Sequence, residues 1–199
     1  MIIHTMDQLS DEWFSVKRGK ISASHMHEVM AGGTGKTRKN YMLKLIAERI
    51  TGQTQESYQN DAMVWGTETE PLARQAYEMD TLQNVQQVGF VEINDFLGCS
   101  PDGFVGEDGT IQIKCPNTTT HLSYILDGKM PTDYIRQVQS ELWMCDRQWC
   151  DFISFDPRCS VRPLFKVRVN RDEKKIEEIK SAVDEFICEM NMIIEKIKA

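Results

Sequence analysis

The apolar residues of this sequence change their period part-way along the chain, and no other feature narrows the fold as much. In 40-NYMLKLIAERITG-52 they fall at Met42, Leu43, Ile46, Ala47 and Ile50, the spacing of one helix face, with Gly52 as a C-terminal stop. A further helix is expected over roughly 66–81, after Trp65. From Val85 the pattern shortens. The segments 85-VQQVGFVEI-93, 97-LGCSPDGFVG-106 and 110-TIQIKCP-116 read as strands, with 106-GEDG-109 as a hairpin turn. Helical spacing returns over 131–146, with Pro131 near the first turn. Two more strand-like segments, 149–156 and 164–170, precede a long closing helix over 172–198. Its stripe is Ile176, Ile179, Val183, Phe186, Ile187, Met190, Ile193 and Ile197. Upstream, Ser10 is a candidate cap for a helix from Asp11, and Ser22 or Ser24 for a helix over 24–31 that Gly32, Gly33 and Gly35 break. Helices alternating with strands predict an α/β protein, a central mixed sheet with helices on both sides.

At 199 residues the chain suits one domain, 1–199, and no apolar run approaches the length of a membrane span. The N-terminus lacks the basic-then-apolar pattern of a signal peptide, so a cytoplasmic location is expected. The six cysteines form no CxxC pair and have no histidine at zinc-finger spacing, which suits reduced thiols. Net charge is −7, at first sight unfavourable for a nucleic-acid partner, but its distribution is uneven. Residues 1–50 carry eight Lys/Arg against five Asp/Glu, residues 51–110 one against eleven, and residues 111–199 fourteen of each. A basic cluster, 17-KRGK-20 with 36-KTRK-39, thus precedes an acidic middle. That division suits a phosphate-binding patch and a metal site, and an ordinary acidic surface equally well.

One apparent motif fails. The run 32-GGTGKT-37 resembles a phosphate-binding loop, but that motif needs glycine where Met30 stands, and no strand is expected before it. A flexible basic loop is the expectation. The hairpin carries more chemistry. Residues two apart on a strand share a face, so Gln112 and Lys114 point one way while Ile111, Ile113 and Cys115 point into the core. Asp102, across the turn, can converge on the same pocket. Mg²⁺ takes oxygen ligands; Asp102 can bridge two ions, the Ile113 carbonyl can add a ligand, and Lys114 can hold the attacking water and offset charge growing on a phosphate. A metal-dependent nuclease would carry its second carboxylate where Gln112 stands. Taken alone, the pattern also fits a structural hairpin with a solvated lysine. Trp143 and Trp149 read as core residues, and His25, His27 and His121 as solvated or capping side chains.

The wider context resembles a known family. Trp13 with 17-KRGKISAS-24, then 65-WGTETEPLA-73 with 77-YE-78, 100-SPDG-103, 112-QIKCP-116, 134-YIRQVQSELW-143, 155-FDPR-158 and 170-NRDE-173 are together similar to the phage lambda-type alkaline exonucleases. These are the YqaJ-like viral recombinase group within the PD-(D/E)xK nucleases. The resemblance runs in order over nearly the whole chain. It implies a PD-(D/E)xK core and a Mg²⁺-dependent 5′→3′ exonuclease (Mn²⁺ serving as well). Its substrate would be double-stranded DNA ends with a 5′-phosphate, and its product a 3′ single strand. It further implies a ring-shaped homotrimer acting with a single-strand annealing protein in phage recombination, inside the bacterial host cell. By the same resemblance Asp102 is the metal-bridging aspartate and Lys114 the catalytic lysine. Glu70 is the acid near the metals, and Gln137 the polar contact from the Gln-Val-Gln helix. Ser22, Ser24 and Ser100 with Lys17 or Arg18 form the 5′-phosphate pocket.

Gln112 departs from the family, which has glutamate there. Glutamine keeps an oxygen and the volume but loses the charge, so weaker Mg²⁺ binding and a disabled site are expected. With the rest of the motif intact, a single deliberate Glu-to-Gln change that traps DNA uncleaved is the leading explanation; a natural inactive homologue is the alternative. Two further readings stay open: another PD-(D/E)xK endonuclease, and a catalytically dead DNA-end-binding recombination scaffold.

Overall fold

The computed structural model describes residues 1–32, 35–55 and 60–199. In chain order the elements are β1 (Ile2–His4), α1 (Asp11–Lys17), β2 (Ile21–Ser22), α2 (Met26–Val29), α3 (Lys36–Thr51) and α4 (Asp61–Thr81). There follow β3 (Val85–Gln86), β4 (Phe90–Asn94), β5 (Leu97–Cys99), β6 (Gly103–Val105), β7 (Gly109–Lys114), α5 (Thr118–Asp127), α6 (Ile135–Met144), β8 (Trp149–Phe155), β9 (Leu164–Asn170) and α7 (Glu173–Lys198). The expected α/β architecture holds, with two sheets in place of one. A mixed five-stranded sheet has the order β3-β6-β7-β8-β9, and a four-stranded sheet the order β1-β4-β5-β2.

The central strands are long because both their faces are covered. β7 and β8 run parallel from Gly109↔Trp149 to Lys114↔Ser154, and β9 lies antiparallel to β8. On one face α4 sets Ala73 and Tyr77 against Ile111, Ile113 and Ile153. On the other, α6 sets Val138 and Leu142 against Cys150 and Phe152. A larger cluster joins α2, α3 and α7 to the four-stranded sheet through Met26, Leu45, Phe186 and Val91. The β6–β7 hairpin turns through Gly106, whose φ of 57° lies in the left-handed region that glycine tolerates. Gly109 opens β7 under the Trp149 ring, where a β-carbon would come within 2.2 Å of an indole carbon.

Several boundaries moved. Ser10 caps α1 as expected, its hydroxyl accepting from Trp13 N. Ser22 precedes a turn of 3-10 helix over Ala23–His25, and its side chain makes no cap bond. α3 begins at Lys36, so Lys36 and Thr37 open a helix where a loop was expected; Gly33 and Thr34 lie outside the described residues. Arg38 fixes that turn to α7 by donating to both Glu189 carboxylate oxygens, at 2.5 and 3.0 Å. α4 starts at Asp61, where Asn60 caps Met63 N. Sequence pattern missed α5, whose threonine-rich first turn has weak intrinsic helix preference. The turn is fixed by Asn117, which caps Thr120 N, and by His121. That histidine is neither solvated nor a cap. It is fully buried, with its ring nitrogens 2.7 Å from Ser154 Oγ and 2.9 Å from the Arg162 carbonyl. All six cysteines are free thiols.

Candidate active site

The site begins where one strand stops before its neighbour. The β6–β7 ladder ends at Gly103↔Ile111, while β7 continues to Lys114 against β8 alone. The Ile113 N–H therefore loses its ladder partner on that side. Asp102, one residue before β6, takes it: Ile113 N donates to Asp102 Oδ2 at 2.6 Å. The same oxygen accepts from Gln112 Nε2 at 2.5 Å. Gln112 is buried, its Oε1 accepting from Gln137 Nε2 at 2.6 Å. Gln137 Nε2 also donates to Glu141 Oε1 at 2.9 Å. Gln137 and Glu141, four positions apart on α6, and Gln112 on β7 make a continuous hydrogen-bonded chain from Glu141 through Gln137 and Gln112 to Asp102. Lys114 leaves the strand at its end, its ammonium 5.1 Å from the centre of the Tyr134 ring.

Glu70 enters from α4, on the other face of the sheet. Arg74, one turn further on, donates to Glu70 Oε1 at 2.5 Å and reaches the Asp102 carbonyl at 3.5 Å. The acids here are poorly compensated. Burial, then the Asp102 charge, push the Glu70 carboxyl up to about 7, against the opposing pull of Arg74 and Lys114. Burial and Asp102 push Glu141 up to about 8. Asp102 is itself raised by burial, with Lys114 and the Ile113 N–H acting the other way. One oxygen of Glu141, Oε2, is buried and has no hydrogen-bond partner among the described residues.

Among the described residues, no three His, Cys, Asp or Glu side chains stand close enough together to hold a metal ion as they are placed. The neutral Gln112 amide N–H is instead the donor that faces Asp102. The donors are still those a hard divalent cation takes: Asp102, Gln112 Oε1 and the Ile113 carbonyl are all oxygens. The partnerless Glu141 Oε2 adds a fourth, and a buried carboxylate oxygen without a donor is what a cation would satisfy. The residues fit such an ion.

The proposed phosphate pocket is divided. Lys17, Arg18 and Ser22 line a cleft of about 540 Å³ with Lys20, Lys44 and Glu48. Burial, followed by the nearby Lys44, lowers the Lys17 ammonium to about 8, and the group lies 4.2 Å from the centre of the Trp13 ring. Arg18 Nε donates to Thr54 Oγ1 at 3.3 Å. Ser24 shares a hydrogen bond with Ser22, Oγ to Oγ at 3.0 Å, and lines the adjoining cleft with Thr132, Tyr134 and Gln137. Ser100 Oγ accepts from the Trp13 indole N–H at 2.9 Å. Sequence reasoning assigned no role to Glu141, Arg74, Tyr134 or Lys44. Glu141 carried one signal, an acid one helical turn after Gln137 on the same face.

Two helical layers on a mixed sheet is a fold shared with solved exonucleases. The chain belongs to the YqaJ-like viral recombinase domain family, whose pattern matches residues 12–148. Among solved structures it is similar to an alkaline exonuclease from Laribacter hongkongensis, LHK-Exo. The two are 41% identical with a TM-score of 0.88, over 95% of this chain and 96% of that one. The LHK-Exo complex with dAMP gives 42% identity and a TM-score of 0.89 over the same shares. A phage-related exonuclease from Haemophilus somnus 129PT, 18% identical, has the same fold, with a TM-score of 0.70 over 89% of this chain and 96% of that one. No curated protein matches the sequence. Among the described residues no helix is long and apolar enough to cross a membrane.

Proposed function

We propose that residues 1–199 form a single nuclease domain that resects double-stranded DNA ends 5′→3′ and leaves 3′ single strands for phage recombination by strand annealing. The cofactor is Mg²⁺, with Mn²⁺ as a substitute. The partners are DNA ends bearing a 5′-phosphate, two further copies of this chain in a homotrimer, and a single-strand annealing protein, in the cytoplasm of a bacterial host. The observation that carries this reading is the Asp102–Ile113 bond, which holds an acid beside Lys114 in a chain so similar to an alkaline exonuclease.

The cation would be held by Asp102, the Ile113 carbonyl and position 112. When bound it supplies Lewis acidity toward the scissile phosphate and lowers the pKa of a coordinated water. The remaining work falls to side chains. The Lys114 ammonium orients the attacking water and offsets the charge growing on phosphorus-bound oxygen. Arg74 keeps Glu70 turned toward the site. Gln137 fixes the rotamer of Gln112. The basic cleft of Lys17, Arg18 and Lys44 receives the terminal phosphate, with Ser22 as hydroxyl donor and Ser24 and Ser100 at its margins.

The test compares release of nucleotides from linear duplexes carrying 5′-phosphate or 5′-hydroxyl ends and from closed circles, with Mg²⁺. Degradation of linear DNA alone, faster from phosphorylated ends, is expected. Cutting of closed circles would make the protein an endonuclease of the same superfamily. Changing Lys17 and Arg18 together to Ala should remove the end preference, and an unchanged ratio would take the pocket away from this segment. Light scattering reads the trimer. The scaffold reading draws on the uncharged Gln112; it requires that the protein hold phosphorylated ends and degrade none, and that Gln112→Glu stay inactive, whereas activity appearing with Gln112→Glu means an enzyme disabled at that position.

A further inference from the structure

The expectation of a disabled site rests on position 112 alone, and the buried chain behind Gln112 points elsewhere. Glu141 is 1% exposed, on the face of α6 turned toward the central sheet. Its Oε1 accepts one hydrogen bond, from Gln137, while Oε2 has no partner among the described residues. Leaving a buried carboxylate oxygen without a donor is costly in general, unless a proton neutralises the group or something else pairs with it. The neighbouring groups do not. Gln137 Nε2 is already shared between Glu141 and Gln112, and Gln112 Nε2 is committed to Asp102. Lys114 and Asp102 are the charged groups whose fields reach Glu141. Glu141 thus stands two hydrogen bonds from the oxygen of Gln112, with a free oxygen in a chain that ends on Asp102.

We propose that Glu141 is the second carboxylate of the cation site, supplying from helix α6 the negative charge that strand β7 lacks at position 112. This inference rests on the reading of Asp102 and Lys114 as a divalent-cation site for phosphodiester cleavage. The site's total charge is then that of one with glutamate at 112; the acid has moved from the strand to the helix that packs behind it. Gln112 contributes a neutral oxygen, and Gln137 orients both. The protein as it stands is an active enzyme.

The experiment uses the full chain and four forms: unchanged, Glu141→Gln, Gln112→Glu, and the exchange Gln112→Glu with Glu141→Gln. Mn²⁺ affinity is measured by calorimetry and by the paramagnetic signal of free Mn²⁺, and thermal midpoints are recorded with and without the ion. Glu141→Gln should weaken Mn²⁺ binding roughly 10–100-fold. The metal-free midpoint should hold or rise, because an unpaired buried acid has gone. The exchange should restore affinity, and the unchanged protein should degrade DNA where Glu141→Gln does not. Equal Mn²⁺ affinity in the unchanged protein and Glu141→Gln overturns the inference, as does failure of the exchange to restore binding. Ion binding that follows Glu141 while no form degrades DNA upholds this cation site and defeats the nuclease reading, so the two failures are separable.

Discussion

Buried acids occur in two regions of the central sheet, and the protein treats them in opposite ways. At the β8 side, Asp151 is 4% exposed and accepts from the Tyr77 hydroxyl at 2.8 Å and from Arg168 Nε and Nη2, both at 2.8 Å. Asp156 is fully buried and accepts from Thr118 Oγ1 at 2.5 Å, Arg158 N at 3.0 Å and Arg158 Nε at 2.7 Å. Its burial is outweighed by those donors, which hold the carboxyl at about 2. At the end of β7, the buried Glu141 and the partly buried Asp102 and Glu70 have fewer donors, and all three are pushed up. The same chemical group, fully donated to, secures a strand end. Under-donated, it keeps acceptor capacity that a cation could use. The contrast separates structural acids from candidate ligands without reference to any motif.

The largest effect should come from the under-donated set. Asp102→Asn is expected to reduce DNA degradation by on the order of 10³-fold, with little loss of metal-free stability, since it removes a poorly compensated charge. A rate within tenfold of the unchanged protein in a steady-state nuclease assay would break the comparison at its centre. The reverse is expected for the structural set. Tyr77→Phe deletes a buried donor to Asp151 and should lower unfolding free energy by about 2 kcal/mol in urea, while degradation continues at its former rate. A neutral outcome would mean that Arg168 alone satisfies Asp151.

Two smaller effects depend on pH. Asp156 is depressed from 3.8 to about 2, so it favours the folded state at every pH above the unfolded value. That contribution is lost as pH falls from about 4 to about 2. Melting scans over this interval should be flatter for Asp156→Asn than for the unchanged protein. Lys17 is depressed from 10.5 to about 8, which penalises its charged form in the folded chain. Between pH 8 and 10.5 the unfolded chain binds the extra proton, so stability from this group rises with pH across that interval. Lys17→Met should remove the rise. A bound 5′-phosphate should oppose the same shift by pairing with the ammonium, so DNA ends ought to bind less tightly above pH 8 in the unchanged protein than in one with Arg at position 17.

How far the sequence reached depended on whether the information was local. The apolar stripes of α3 and α7 and the alternation in β7 and β9 were legible, because a helix or strand that buries one face must repeat its apolar residues at its own period. The hairpin that carries Lys114, with Asp102 just before it, was legible for the same reason, together with its order of motifs. Elements too short to display a period were not. β1 and β2 have three and two residues and exist through pairing with β4 and β5. α5 is a helix because Asn117, Gly128 and the buried His121 hold it, against the weak preference of three consecutive threonines.

Composition and order therefore determined the class of fold, the place of Asp102 and Lys114, and the missing charge at Gln112. That Glu141 joins the hydrogen-bonded chain of Gln112 was decided by tertiary structure alone. Glu141 lies 29 positions further along than Gln112, and no spacing rule joins a strand residue to a helix residue packed behind it. Only the packing of α6 behind the sheet brings the two side chains onto one hydrogen-bonded chain, and only burial leaves Glu141 Oε2 without a partner among the described residues. A hydrogen-bonded site is assembled over a volume, and a linear sequence records positions.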